Sequence, residues 1–283
     1  MVRAGALKVC AITNVYNEHF NLPLWLAYYG RQLGPQNCIV VDHGSDRLEG
    51  ITDQSILRTP RSVFDDRARA RTISSLTTAM LEHYDVVLYT DCDEFLLPDP
   101  ARYDGLLDYF ARTDSSAHTA IGLDVIHDVL AEPPIDPSRP ILDQRVWVQF
   151  NSNLCKTLAT REPIRWGGGF HASSAAPAFS DLYLLHLKCV DLDVWRARAA
   201  ITRDIAVPDP GQGPHHRQPD GWYVDKLHER ARYGRDPDLA AVPGLVQRLA
   251  ATARRGEDGL YAFVEEIRPQ RLMRLPRTFK GRF

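Results

Sequence analysis

Two aspartates, Asp91 and Asp93, end the apolar run Val86-Val87-Leu88-Tyr89. A strand alternates its faces, so an i, i+2 pair at a strand end points both carboxylates one way and Cys92 the other. Two carboxylates together suit a hard divalent cation such as Mg²⁺ or Mn²⁺. Such ions keep waters, take one or two protein carboxylates and fill their shell with substrate phosphate oxygens. An Asp-x-Asp alone is commonly a solvated turn or a helix cap. The position just past a buried strand favours the metal, because open α/β sheets bind ligands at the carboxyl ends of their strands.

The elements around the pair follow from local pattern. Residues 7–13 read as a buried strand closed by Asn14. Asn21 reads as a helix N-cap with Pro23 in the first turn, and Leu22, Trp25, Leu26, Tyr29 and Leu33 recur at helical spacing until Gly34-Pro35. Residues 38–41 form a second apolar run, ending in Asp42-His43-Gly44-Ser45-Asp46. Ile73, Leu76, Thr77, Met80, Leu81 and Tyr84 mark a second helix, followed by the strand at 86–89. Strands alternating with helices predict a parallel sheet, on which residues 14–18, 42–46 and 91–94 converge at one edge. Further on, residues 119–125, 146–150 and 182–187 read as strands, and 190–201 as a helix burying Trp195. Two helical segments are expected beyond Asp236, ending in a basic tail.

In order along residues 14–95, Asn14-Val15-Tyr16-Asn17-Glu18, Leu22-Pro23-Leu24-Trp25-Leu26, Val41-Asp42-His43-Gly44-Ser45-Asp46 and Asp91-Cys92-Asp93-Glu94-Phe95 resemble the family 2-type glycosyltransferases. The nearest branch has the signature "NE…L.EWL.YH…LG…DNGSDD…DxDEF". The resemblance fades beyond Val125. It implies a GT-A fold: an α/β, Rossmann-like, mostly parallel sheet flanked by helices, with a nucleotide-sugar half at 1–125, a variable acceptor half at 126–235 and a C-terminal helical extension at 236–283. It also implies a metal-dependent, inverting transfer of sugar from a nucleoside-diphosphate sugar, a UDP-sugar favoured, to a glycan or lipid-linked hydroxyl. Asn17 and Glu18 would lie near the nucleotide. Asp42 would accept from the base, and an Asp suits uracil N3–H and guanine N1–H equally; the bland alternative is an Asx turn. Asp91 and Asp93 would hold Mn²⁺ or Mg²⁺. Tyr29 stands where the family has His, and Arg47 follows Asp46 where the family has a second Asp.

Related sequences carry a "K…(G)xH…HxK" pattern, which Lys156, His171, His186 and Lys188 resemble. It implies a metal ligand at His186 or His171 and phosphate contacts from Lys156 and Lys188. Arg67 and Arg71 share a helix face, so Arg71 is a candidate phosphate clamp, against the alternative of a plain charged face. An inverting transfer needs a carboxylate to take the acceptor proton; Asp124 and Asp181 are the candidates, and Glu94 a supporting group. The pair His215-His216 lies in a Gly/Pro-rich stretch that could act as a lid.

Composition narrows the classes. The chain has 283 residues, 44% hydrophobic content and net charge −2, with no basic field for nucleic acid. Five scattered cysteines without a C-x-x-C pair read as reduced and apolar. A short, polar N-terminus and the lack of a long apolar run point to the cytoplasm, with contact at the inner face of the membrane open through the basic C-terminus. There Leu272, Met273 and Leu275 alternate with arginines and could form a peripheral helix. Two competing readings are a nucleotidyltransferase, which would want a glycine-rich first loop, and a non-catalytic carbohydrate-binding or scaffold protein.

Overall fold

In the computed structural model, which describes residues 7–208 and 217–283, the expected parallel block is present. β1 (Val9–Val15) pairs in parallel with β2 (Cys38–Asp42) and β4 (Val86–Tyr89), and β2 with β3 (Ser55–Arg58). The crossovers carry α1 (Asn21–Leu33) and α2 (Asp66–Met80). Gly34, at φ 92°, ends α1 where other residues would be strained. Asn21 is not the cap: it lies in the first turn, and Glu18 Oε1 accepts from its backbone N–H at 3.3 Å.

Beyond β4 the chain adds β5 (Glu94–Pro98), α3 (Leu106–Ala111), β6 (Ala117–Val125), α4 (Ile141–Gln144), β7 (Trp147–Phe150), β8 (Thr157–Thr160) and β9 (Phe179–His186). α5 (Leu192–Arg203), α6 (Asp220–Ala231), β10 (Gly234–Asp236), α7 (Val242–Ala250), β11 (Ala253–Arg255), β12 (Tyr261–Phe263) and β13 (Arg271–Arg274) follow. The fold is α/β: helices flank one large mixed sheet of order β10-β13-β7-β6-β8-β4-β1-β2-β3, with β9 joining β6 and β5. β8 lies antiparallel between β4 and β6, so strands from the two expected halves interleave in one sheet.

The C-terminal segment departs from expectation. It holds one α-helix, α7, a 3-10 turn at Arg277–Phe279 and three further strands, of which β13 enters the main sheet between β7 and β10. Leu272, Met273 and Leu275 are buried in the core, so the peripheral helix does not form. Arginines recur here at every third position (Arg271, Arg274, Arg277), so the local pattern does not declare a strand; pairing with β7 and β10 imposes it. No helix among the described residues is long and apolar enough to cross a membrane. All five cysteines are buried and unbridged.

α1 fixes the turn that follows β4. Trp25 Nε1 donates to Thr90 Oγ1 at 2.8 Å, Tyr28 donates to Leu96 O at 2.7 Å, and Tyr29 accepts from Leu96 N at 2.8 Å. Tyr29 therefore ties α1 to β5. Phe95 stacks between this aromatic group and Phe283.

Candidate functional site

The loops after β1, β2 and β4 converge as expected, and with residues from β6, β9 and α5 they line a cavity of about 700 Å³. Asp91 and Asp93 both face it, though not by strand alternation. β4 ends at Tyr89, and residues 91–93 form a turn closed by Glu94 N donating to Asp91 O at 2.9 Å. Strand register then assembles the rest. Glu94 of β5 pairs with His186 of β9, and His186 with Asp124 of β6, so three polar side chains sit in one row.

Asp91 Oδ1 accepts from Arg69 Nη1 at 2.8 Å and from the Tyr89 hydroxyl at 2.7 Å, and Lys156 Nζ is 4.0 Å from its other oxygen. Burial alone would raise its pKa, but Arg69 and Lys156 outweigh burial and hold it below the usual range. Asp93 Oδ2 lies 3.2 Å from His186 Nε2. Burial opposes its charge too, yet His186 keeps it ionised well below the usual range. His186 Nδ1 is 2.8 Å from Asp124 Oδ1. Burial would push the imidazolium down; Asp93 and Asp124 reverse that and lift it to about 10. Lys156 and Glu94 make a buried pair at 2.6 Å, with side chains 5% and 2% exposed. Lys188 lines the cavity near Asp93 and Asp124, and burial lowers its pKa.

The expected proton acceptors do not sit free. Asp124 is buried, and Asn151 Nδ2, at 3.0 Å, and Arg268 Nη2 both occupy its second oxygen. Its geometry is that of a group that orients His186. Asp181 lies outside the cavity, in an ion pair with Arg102 near the other end of β9. Five positions separate it from His186, roughly 16 Å along a strand. Every lining carboxylate is paired: Glu18 with Arg198, Asp66 and Asp91 with Arg69, Asp93 with His186, Glu94 with Lys156 and Asp124 with Arg268.

Other expected residues are placed differently. Asn17, at φ 46°, does not line the cavity; it bridges loops through Ser45 Oγ at 2.9 Å and Asp46. Glu18 does line it, and Arg198, which also donates to Tyr16 O and Asn17 O, holds it. Asp42 is fully buried, and its Oδ1 accepts from Ser45 N, three residues on, at 2.9 Å, so the side chain closes its own loop. Its Oδ2 has no hydrogen-bond partner, although Arg58 Nε lies 3.4 Å away. Arg71 points into a neighbouring cleft, and the arginine that reaches Asp91 is Arg69. Helical spacing marks it: Arg69 precedes buried Ile73 by four residues, while Arg67 and Arg71 lie on the exposed face. His171 sits at the rim, with Nδ1 2.8 Å from Asn153 O. His215 and His216 lie outside the described residues. Arg198 and Arg268, the second read only as part of a basic tail, line the cavity without any local sequence signal of that role.

The donor set suits a hard divalent cation. Two carboxylates and an imidazole meet at one wall, and the His186 Nδ1 contact with Asp124 is the carboxylate–histidine arrangement that orients metal ligands. Among the described residues no group of three or more His, Cys, Asp or Glu side chains is already placed to hold a metal ion. The cavity's charge suits an anion. Arg61, Arg69, Lys156, Lys188, Arg198, Arg217, Arg230 and Arg268 face Glu18, Asp66, Asp91, Asp93, Glu94 and Asp124, eight cations against six carboxylates in a chain of net charge −2. No protein-family model matches the chain, and no curated protein matches it.

Proposed function

We propose that the protein is a GT-A-type glycosyltransferase that binds a nucleoside-diphosphate sugar in the cavity at the carboxyl ends of β1, β2 and β4. One observation carries the reading: Asp91, Asp93 and His186 share a cavity wall in a site with surplus positive charge. A Mn²⁺ or Mg²⁺ held by those three residues would supply Lewis-acid stabilisation of the leaving diphosphate. The chain itself does the rest. Lys156, buried, and Lys188 place positive charge beside the carboxylates. Asp124 holds His186 Nδ1, so Nε2 is aimed at Asp93. Because each lining carboxylate is paired, the acceptor proton must go to one that a bound ligand has released from its partner.

Thermal shift against UDP, GDP, CMP and TDP, each with and without Mn²⁺, tests the reading. One diphosphate should stabilise the wild type by a few °C only with Mn²⁺, and Asp93→Asn should abolish the shift, since a ligand at 100 times its Kd adds about 2.7 kcal/mol. Absence of any Mn²⁺-dependent nucleotide shift in the wild type sinks the donor assignment and moves weight to a non-catalytic carbohydrate-binding role.

A further inference from the structure

A second cavity, of about 570 Å³, adjoins the first, and Asn153 and His171 line both. α2 supplies Arg67 and Arg71 to one wall, and the glycine turn supplies Gly167 and Gly168. A Cβ on Gly167 would meet Leu260 Cδ1 at 3.3 Å, so glycine keeps this wall thin. The β11–β12 hairpin and the chain after it form the opposite wall, with Asp258, Phe263 and Glu265.

The two arginines are one helical turn apart and face the cavity together. Neither guanidinium has a hydrogen bond or an ion pair among the described residues, whereas Arg69 between them is committed to Asp66 and Asp91. Like charges at this spacing repel. The facing carboxylates are occupied: Glu265 by Arg248 at 2.8 Å, and Asp258 Oδ1 by Leu260 N at 3.0 Å. Their remaining oxygens, the Asn153 amide and the half-buried ring of Phe263 offer acceptors, a donor and an apolar face, the mixture that sugar rings need. The volume is that of a small-ligand site, larger than a lone inorganic anion needs.

We propose that this cleft binds an anionic oligosaccharide, with Arg67 and Arg71 on its carboxylate or phosphate groups. Its end lies across Asn153 and His171 from Asp93 and His186. The role of that oligosaccharide as acceptor rests on the transferase reading; its binding does not.

Calorimetric titration of the full chain with tetragalacturonate, its methyl ester, phosphorylated maltotetraose and maltotetraose tests this. One charged oligomer should bind, its neutral counterpart should bind far more weakly, and the arm that binds names the anion. Arg67→Gln/Arg71→Gln should weaken that binding about tenfold or more, while Asp93→Asn leaves it unchanged. The same arginine variant should keep the Mn²⁺-dependent nucleotide shift, which shows that it folds. Equal binding of charged and neutral oligomers, undiminished binding by the arginine variant, or no binding of any oligomer at millimolar concentration would overturn the proposal. If the wild type binds tetragalacturonate but shows no nucleotide shift, the transferase reading falls and this site stands.

Discussion

Lys156→Met tests the electrostatics at the centre of the site. The change keeps most of the aliphatic stem, so little cavity forms, but it removes the only cation among the described residues that lies within 3 Å of Glu94. Truncating one partner of a buried ion pair typically costs 3–5 kcal/mol, about what an unpaired buried carboxylate demands. Here protonation sets a ceiling. Giving a proton at pH 7 to a carboxyl of ordinary pKa 4.5 costs roughly 3 kcal/mol, and burial already raises the Glu94 pKa in the intact protein despite Lys156. The expected loss is therefore about 3 kcal/mol at pH 7, or roughly 6–12 °C in Tm. Its sign with pH is fixed. In the variant the folded state binds the Glu94 proton more tightly than the unfolded state, so stability falls as pH rises above 4.5 and returns as pH is lowered towards it. Urea unfolding of wild type, Lys156→Met and Glu94→Gln/Lys156→Met at pH 7 and pH 5 measures this. The double variant should recover at least half of the loss. A loss below about 1 kcal/mol at pH 7, or one equal at both pH values, would refute the charge argument.

Three further outcomes are expected. His118 is buried against Tyr109, and burial, then Arg161, lower its pKa to about 4. The unfolded chain binds the proton first, so roughly 3 kcal/mol of stability is lost as pH falls from 6.5 to 4, and His118→Gln should flatten that part of the pH–stability curve. Gly122→Ala would place a Cβ 2.4 Å from Leu154 Cβ and 2.7 Å from Asn151 O; a drop in Tm of roughly 10 °C by calorimetry is expected, as for overpacking of about 3 kcal/mol. Asp181→Asn breaks a surface pair with Arg102 and should change stability by less than about 1 kcal/mol, leaving the nucleotide shift intact.

β1, α1, β2, α2 and β4 were legible because their signals are local, whereas the exposed edge strand β3, β5 and α3 were not read. Apolar runs end at Asn14, Asp42 and Asp91, and Gly34 stops α1, so neighbouring residues decide each element. The second half depends on distant pairing. β6 contacts β7, β8 and β9, and the four residues of β8 have no period of their own to declare a strand. The site divides the same way. Asp91 and Asp93 announce themselves by type and spacing. Arg198 and Arg268 become site residues only when α5 and the C-terminal segment pack against the sheet, and Asp124 changes from free base to held carboxylate because Arg268 arrives from 144 residues away.

The place of β13 in the sheet sets an order of assembly. β7 pairs with β6 on one side and with β13 on the other, so it presents an open edge until the last strand in the chain arrives. An open edge is sticky, and closing loops of such length is slow. Arg268 lies three residues before that strand and completes the partners of Asp124, which in turn holds His186. A chain still short of its final segment would thus carry both a vulnerable edge and an Asp124 without its arginine partner. One segment thus both seals the sheet edge and completes the Asp124 contacts, and a ribosome-bound or nicked chain lacking it should be aggregation-prone.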